Sequence, residues 1–342
     1  MSGRATLLAL LLLAAACGGP GAPVEEPPRA AAIAEPPPPP PPARDTVLEA
    51  AFREAAAEIE GTVGVAALHL EAHVAATHGG DVRFPLASVY KLPIAYAAVQ
   101  GAGTAAEDTV ALEPADRAPG TTPLDAEGGA RVPFRRLVEL ALAQSDNTAS
   151  DALLRVAGGP EAVNRRMRAT GVEGVRVDRS LRRIFADYRG VEWPEGAEAW
   201  TIREFRAQSA AVPSARRDSA RAAFLEDARD TGTAEEVVAL LAALHEGEGL
   251  DPAGRTLLLE ALRGTETGPN RIRAGVPAGT EVAHKTGTLG PLAHDVGIVP
   301  LPDGGTLLLA VLVRSAAPAE ERERVIAALA RAAWARFAGT QE

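Results

Sequence analysis

The chain has 342 residues, 46% of them hydrophobic and 23% charged, with a formal net charge of −10. That length allows one large domain or two ordinary ones around a sizeable core. The acidic balance and an aromatic content of only 4% exclude a phosphate-binding surface and stacking platforms for single-stranded nucleic acid, so no nucleic-acid partner is expected.

Residues 1–17 stand apart from the fold. Arg4 precedes an apolar run from Ala5 to Ala16, shorter than the roughly 20 residues a spanning helix needs, and the segment reads as a signal peptide. Cys17, the only cysteine, ends it in Leu13-Ala14-Ala15-Ala16-Cys17. This resembles a bacterial lipobox, whose cysteine is lipidated and becomes the first mature residue. The leucine lies one place farther from the cysteine than in the usual pattern, and cleavage beside the alanines is the alternative. With no second cysteine there is no disulfide. Residues 18–44 are rich in Pro, Ala, Gly and Glu, with an unbroken run from Pro36 to Pro42. They predict an extended tether whose proline run reaches about 20 Å as polyproline II. The expected location is the periplasm, beyond the inner membrane, with a lipid anchor at Cys17 holding the protein to a bacterial membrane.

The folded part begins with an amphipathic helix over Asp45–Glu60, capped by Asp45. Thr62–Leu70 and Ala72–Thr77 read as strands, with a turn at Gly79-Gly80. A helix follows from Ser88, with Pro93 removing one hydrogen bond near its start. Gly101–Gly129 reads as mostly irregular. Helices are predicted over Pro133–Gln144, up to Val156, from Pro160 to Ala169, over Thr233–Leu244 and over Pro252–Leu262. Thr280–Leu289, Asp295–Leu301 and Thr306–Val313 read as strands, and Glu320–Phe337 as a final helix. Strands and helices at both ends, with helices between, imply a sheet domain from residues 45–87 and 276–342 and a mainly helical domain from 88–275. A cleft between two such domains is a natural ligand site.

Chemistry concentrates in three short motifs. The first is Ser88-Val89-Tyr90-Lys91, where a hydroxyl and an amine three residues apart share one helix face. Serine needs a neighbouring base to act as a nucleophile, and lysine is one only when burial or nearby positive charge lowers its pKa. An isolated pair of this spacing is commonly a helix cap beside a snorkelling lysine. Here, however, only two of the 35 basic residues are lysine, Lys91 and Lys285, and the rest are arginine. A lysine kept against that bias marks a site that needs an amine able to lose its proton. The second motif is Ser145-Asp146-Asn147, and the third is His284-Lys285-Thr286-Gly287-Thr288. The histidines form no His-Glu-x-x-His, and no Gly-x-Ser-x-Gly is present, so neither a zinc protease nor an α/β-hydrolase reading is supported, and no metal or cofactor enters the reading.

In this order and at these separations the motifs resemble the serine penicillin-recognising enzymes, specifically the class A β-lactamases, from about residue 45 to 338. The resemblance implies an α/β (α+β) two-domain serine β-lactamase/DD-peptidase-like fold: an antiparallel sheet with flanking terminal helices and an inserted all-α domain. It implies that Ser88 attacks the lactam carbonyl, that Lys91 takes or relays its proton, and that Ser145 passes a proton to the departing nitrogen. Asn147 binds the acylamide side chain of the substrate. Lys285 and Thr286 bind its carboxylate, Gly287 leaves room for it beside the strand, and the N–H groups of Ser88 and Thr288 form the oxyanion hole.

One position departs from the family. Class A enzymes carry, just after an Asp-Arg pair, a glutamate that positions the deacylating water. Here Asp178-Arg179 is followed by Leu181 at that place, and by Phe185 where an asparagine is expected. The segment expected to close through an Arg179–Asp227 pair is also unusually long. Its acids Asp187, Glu192, Glu195, Glu198 and Glu204 are substitute bases only if they leave solvent. Three readings follow: a β-lactamase with altered deacylation, a D-Ala-D-Ala peptidase acting on peptidoglycan peptides, or a penicillin-binding or sensing domain that stops at the acyl-enzyme. A monomer is expected.

Overall fold

The structure is a computed structural model that describes residues 40–103, 108–124 and 130–339. The expected signal peptide, the lipidation site Cys17 and the tether up to residue 39 lie outside the described residues. The last two tether residues do not extend it: Ala43–Arg44 form a strand (β1), with Ala43 N donating to His73 O at 2.9 Å. Helix α1 follows at Thr46–Ala56, and its cap is Asp45, which accepts from Leu48 N at 3.0 Å. Then come β2 (Thr62–His69), β3 (Val74–His78) and β4 (Phe84–Pro85). A 3₁₀ turn over Ala87–Tyr90 leads into α2 (Lys91–Ala102). Pro93 is the third residue of α2, within the first turn, where proline's fixed φ and missing N–H are tolerated.

Within the stretch expected to be irregular, β5 (Thr109–Ala111) pairs with β6 (Arg131–Pro133). Helices α3 (Phe134–Ala143), α4 (Asn147–Val156) and α5 (Pro160–Ala169) follow. The segment from 179 to 227 departs from the expected loop. It folds into α6 (Leu181–Arg189), α7 (Ile202–Ala211) and α8 (Ser214–Leu225). After β7 (Thr231–Gly232) come α9 (Ala234–Glu246), α10 (Pro252–Arg263) and the short α11 (Ile272–Gly275). The chain ends in β8 (Ala283–Leu289), β9 (Leu292–Pro300), β10 (Thr306–Arg314) and α12 (Ala319–Ala338).

Six strands form one sheet in the order β1-β3-β2-β10-β9-β8, antiparallel throughout except for the β1–β3 pair. Strand β10 runs Leu307-Leu308-Leu309-Ala310-Val311-Leu312-Val313 without a polar break because both of its faces are covered. Leu307, Leu309, Val311 and Val313 pack with Leu48 and Phe52 of α1 and Ile326 of α12. Leu308, Ala310 and Leu312 face the larger core that includes Leu240 and Leu241 of α9 and most of α2 to α4. From Pro42 onward the described residues form one compact unit.

The α6–α8 segment is anchored from within. Arg179 is almost fully buried and meets Asp227 at 3.0 Å, as expected, but also Asp187 at 2.7 Å and Asp230 at 2.5 Å. Asp230 is the deeper partner and also accepts from the backbone N–H groups of Asp178 and Arg179, at 2.6 and 3.1 Å. Closure thus runs mainly through Asp230. Arg182 is buried too; it donates to Pro114 O at 3.0 Å and to Trp200 O, beneath Trp193 and Phe205. Removing a buried cation that serves several carboxylates leaves uncompensated charge, at a cost of about 3–5 kcal/mol. Arg179→Gln should therefore lower unfolding stability in urea by about that much and open the 182–229 segment to limited proteolysis. A variant as stable and as resistant as the parent contradicts this anchoring.

Candidate active site

Ser88 lies in the 3₁₀ turn between β4 and α2, at the floor of a cleft that it shares with Asn147, Thr288, Leu181, Phe185 and Asp230. Two backbone bonds hold this turn: Leu86 N donates to Asp230 O and Val89 N to Leu86 O, both at 3.0 Å. Among the described residues, three of the four non-glycine positions with left-handed φ surround the cleft: Ala87 at 47°, Ser145 at 58° and Asp230 at 53°. Such backbone strain persists only where surrounding structure enforces it, and it clusters at working sites.

Behind Ser88 the two lysines meet on one hydroxyl. Lys91 Nζ is 3.0 Å and Lys285 Nζ 3.1 Å from Ser145 Oγ. Lys91 also donates to Ser145 O and, at 2.6 Å, to Asn147 Oδ1; Lys285 donates to Thr286 O at 3.0 Å. Local sequence places each partner. Asp146 caps α4 by accepting from Ala149 N at 2.8 Å, so Asn147 opens that helix facing Lys91. The left-handed φ of Ser145 turns its hydroxyl inward. The Asn147 amide nitrogen donates to Pro119 O at 2.6 Å. The hydroxyl of Ser88 itself, among the described residues, has no hydrogen bond to Lys91.

Both lysines are fully buried. Burial, and then the charge of Lys285, hold the Lys91 ammonium well below its ordinary range, against Asp146 and Asp151. Burial pushes Lys285 down to about 7, with Asp295 opposing and Arg271 adding to the shift. Burial thus disfavours the charged form of Lys91, whose Nζ is engaged by Ser145 O, Ser145 Oγ and Asn147 Oδ1.

The other predicted residues are placed differently. Thr286 is buried, its hydroxyl 2.6 Å from that of Thr267. Gly287 was expected to make room for a ligand, but a Cβ there would lie 2.9 Å from Leu86 O and 3.2 Å from Val89 and His294. Its missing side chain lets β8 close on the turn that carries Ser88. Leu181 lines the cleft with Ile184, Phe185, Phe224 and Leu289, and the single carboxylate among the lining residues is Asp230, committed to Arg179. None of the five acids of the long segment lines it. Asp187 joins Arg179, Glu192 pairs with Arg216 at 2.6 Å, Glu198 accepts from Trp193, Glu204 completes the cap of α7, and Glu195 is exposed. No cluster of three or more His, Cys, Asp or Glu among the described residues is placed to hold a metal ion.

Sequence reasoning missed three residues. Asp151, one helical turn after Asn147, accepts from Leu181 N at 2.7 Å and Arg182 N at 3.0 Å, fixing the start of α6. Burial raises its carboxyl to about 7, although both N–H groups hold it lower. Arg271 donates to Thr288 Oγ1 at 2.8 Å, His294 O at 2.9 Å and Gly287 O at 3.2 Å, stiffening the end of β8. His294 is held neutral, its pKa lowered to about 4 chiefly by burial, with Nε2 donating to Pro85 O at 2.9 Å and Nδ1 accepting from Val313 N at 3.1 Å. Arginine is too common here to signal a site, and Asp151 stands in no motif.

The Lys285 shift has a stability consequence. The folded protein releases this proton near 7, whereas the unfolded chain holds it to about 10.4. Between those values the unfolded state binds more protons, so this group makes stability rise with pH. Lys285→Met abolishes that contribution. The melting temperature of the variant minus that of the parent should be most favourable near pH 6 and should fall as pH approaches 10. A difference that does not change with pH contradicts a depressed, buried ammonium.

Comparison with known proteins agrees with this geometry. A model of the beta-lactamase enzyme family matches residues 47–337. The extended-spectrum beta-lactamase PER-1 of Pseudomonas aeruginosa is 30% identical over 210 residues, which cover 59% of this chain and 56% of PER-1. The carbapenem-hydrolyzing beta-lactamase KPC of Klebsiella oxytoca is 28% identical over 290 residues, covering 80% of this chain and 83% of KPC. The crystal structure of a beta-lactamase from Chitinophaga pinensis superposes with a TM-score of 0.69 at 26% identity, covering 85% of this chain and 99% of that one. With the serine, the two lysines and the sheet edge in the arrangement just described, the chain belongs to the beta-lactamase enzyme family, as a class A β-lactamase-like serine enzyme.

Proposed function

We propose that β-lactams acylate this protein at Ser88 and that water releases the acyl group slowly, so that it acts as a penicillin-binding or D-Ala-D-Ala peptidase-type enzyme. Ser88 Oγ attacks the lactam carbonyl carbon, and the C–N bond breaks as the ring opens. Lys91, neutral through burial and the nearby Lys285 charge, takes the hydroxyl proton. Ser145, within 3.1 Å of both amines, passes a proton to the leaving nitrogen. The N–H groups of Ser88 and Thr288, two residues that line one cleft, receive the oxyanion. Asn147 has a second amide hydrogen for the acylamide carbonyl. Lys285 and Thr286, stiffened by Arg271, draw the substrate carboxylate toward β8.

One observation carries the slow second step. The wall beside Ser88 is Leu181, Ile184, Phe185, Phe224 and Leu289, and the one carboxylate there is held by Arg179 and two backbone N–H groups. No lining group is free to activate water. Kinship with PER-1 and KPC favours the second reading, β-lactam turnover through another base. A peptidoglycan peptide ending in D-Ala-D-Ala is the natural acyl donor on the first reading. Export through residues 1–17 and a lipid at Cys17 fit an enzyme that meets such substrates outside the inner membrane.

Intact-mass spectrometry with benzylpenicillin separates these readings. The expected result is a one-drug adduct that persists for many minutes, is absent in Ser88→Ala, and clears at least tenfold faster in Leu181→Glu. Rapid clearing with many turnovers by the parent protein overturns slow deacylation, and a missing Ser88-dependent adduct overturns acylation itself.

A further inference from the structure

The helices that replace the expected loop carry positive charge that the reaction above does not use. Arg189 ends α6 and is half buried, its guanidinium carbon 5.2 Å above the Phe185 ring and Nη1 3.5 Å from Ser209 Oγ. Arg206 on α7 and Arg217 and Arg221 on α8 reinforce the field at Arg189; after burial, their charges hold its pKa below the ordinary arginine value. Arg217 donates to Val212 O at 2.8 Å, while its Nε is buried without a partner. Among the described residues no carboxylate lies within 4.0 Å of Arg189, Arg206 or Arg217. The neighbouring acids are turned elsewhere: Asp218 lies 3.6 Å from Arg221, Glu192 pairs with Arg216, and Asp187 with Arg179.

In an acidic chain, guanidinium groups gathered without counter-charge repel one another, and an anion among them relieves the repulsion through charge-assisted hydrogen bonds. The place is not remote from Ser88. Phe185, on whose face Arg189 stacks, lines the Ser88 cleft. Its ring also flanks Gly120, where an added Cβ would lie 3.2 Å from Phe185 Cζ and 2.6 Å from Asn147 Nδ2. Asn147, Gly120, Phe185 and Arg189 are therefore successive neighbours, with Arg189 stacked on the ring that lines the cleft.

We propose that Arg189, Arg206 and Arg217 form a subsite for a carboxylate on the acyl side of the substrate, which makes the substrate class an acidic acyl peptide with a second anionic group. This rests on the acylation of Ser88 proposed above. The carboxylate attributed to Lys285 belongs to the leaving side, so the two anion sites read opposite ends of one substrate.

The test uses two cephalosporins that differ in one group: a 7-glutaryl side chain ending in a carboxylate, and the matching glutaramoyl side chain ending in an amide. The readout is the second-order rate of Ser88 adduct formation at low salt. The glutaryl compound should react about tenfold faster, as expected for charge-assisted bonds, and added salt should shrink that ratio. In Arg189→Gln and Arg217→Gln the ratio should fall toward one. Arg206→Gln, an exposed position, supplies a variant without a folding burden and should lower the ratio in the same direction. A parental ratio near one, or a ratio retained in all three variants, overturns the subsite while leaving acylation standing. Absence of any adduct with these compounds and with benzylpenicillin overturns acylation, and the subsite with it.

Discussion

Two lysine amines sharing one serine hydroxyl set the terms for the rest of this site. Lys91 and Lys285 are both buried, and each lies about one hydrogen bond from Ser145 Oγ. Two full charges at that separation, out of water, are too costly to coexist, so the pair favours one neutral amine. The neighbourhood selects which one. Asp295 opposes the loss of charge at Lys285, whereas the charge of Lys285 itself adds to the lowering at Lys91. The backbone follows from this demand. Asp146 caps α4, Ser145 takes a left-handed conformation, and Gly287 lets β8 press against the Ser88 turn, all so that three side chains from separate parts of the chain meet at one point.

The opposite wall is fixed just as firmly, by different means. Asp151 receives the first two N–H groups of α6, Ser180 receives Arg183 N, and Arg182 reaches across to Pro114 and Trp200. Leu181 is held in place from both sides. Its apolar side chain at the cleft follows from that framework, and no nearby acid swings in to replace it, because each is engaged in a cap, an ion pair or solvent. The α6–α8 segment that holds this wall also brings the arginines to the far side of Phe185.

Much of this was legible in the sequence because it depended on local rules. The Asp45 cap, the alternation and turns of the terminal strands, and helices α3 to α5, α9, α10 and α12 all carry short-range signals. The meeting of Lys91 and Lys285 was foreshadowed for a compositional reason: lysine survives only at these two positions in a chain that otherwise uses arginine. The α6–α8 segment was not read, although Ser180, Gly190 and the Thr201–Glu204 box mark its helix ends. Its acids looked like solvated loop charge, when Glu204 in fact serves a helix end and Asp187 a buried arginine. Asp151 and Arg271 were invisible because their roles arise from tertiary neighbours: one meets an N-terminus thirty residues on, the other a strand folded back against it. For Gly287 the residue was identified but not its reason, since the close approach of Leu86 is a fact of packing.

The replacement at Leu181 bears on both halves of the reaction at once. A carboxylate there would hold a water for deacylation, and it would also stand as a counter-charge that keeps the nearby Lys91 protonated. With leucine in its place, the acids acting on Lys91 in that sense are Asp146 and Asp151. Asp146 is committed to backbone donors, and Asp151, raised to about 7, carries only part of its charge at neutral pH. Burial, and then Lys285, lower the Lys91 pKa, which suits it to the part of base in the acylation proposed above. On the acylation proposed above, the leucine that leaves the acyl-enzyme without a water-activating group also removes a charge that would oppose its formation. On that proposal Leu181 shifts the whole site toward capture of an acyl group.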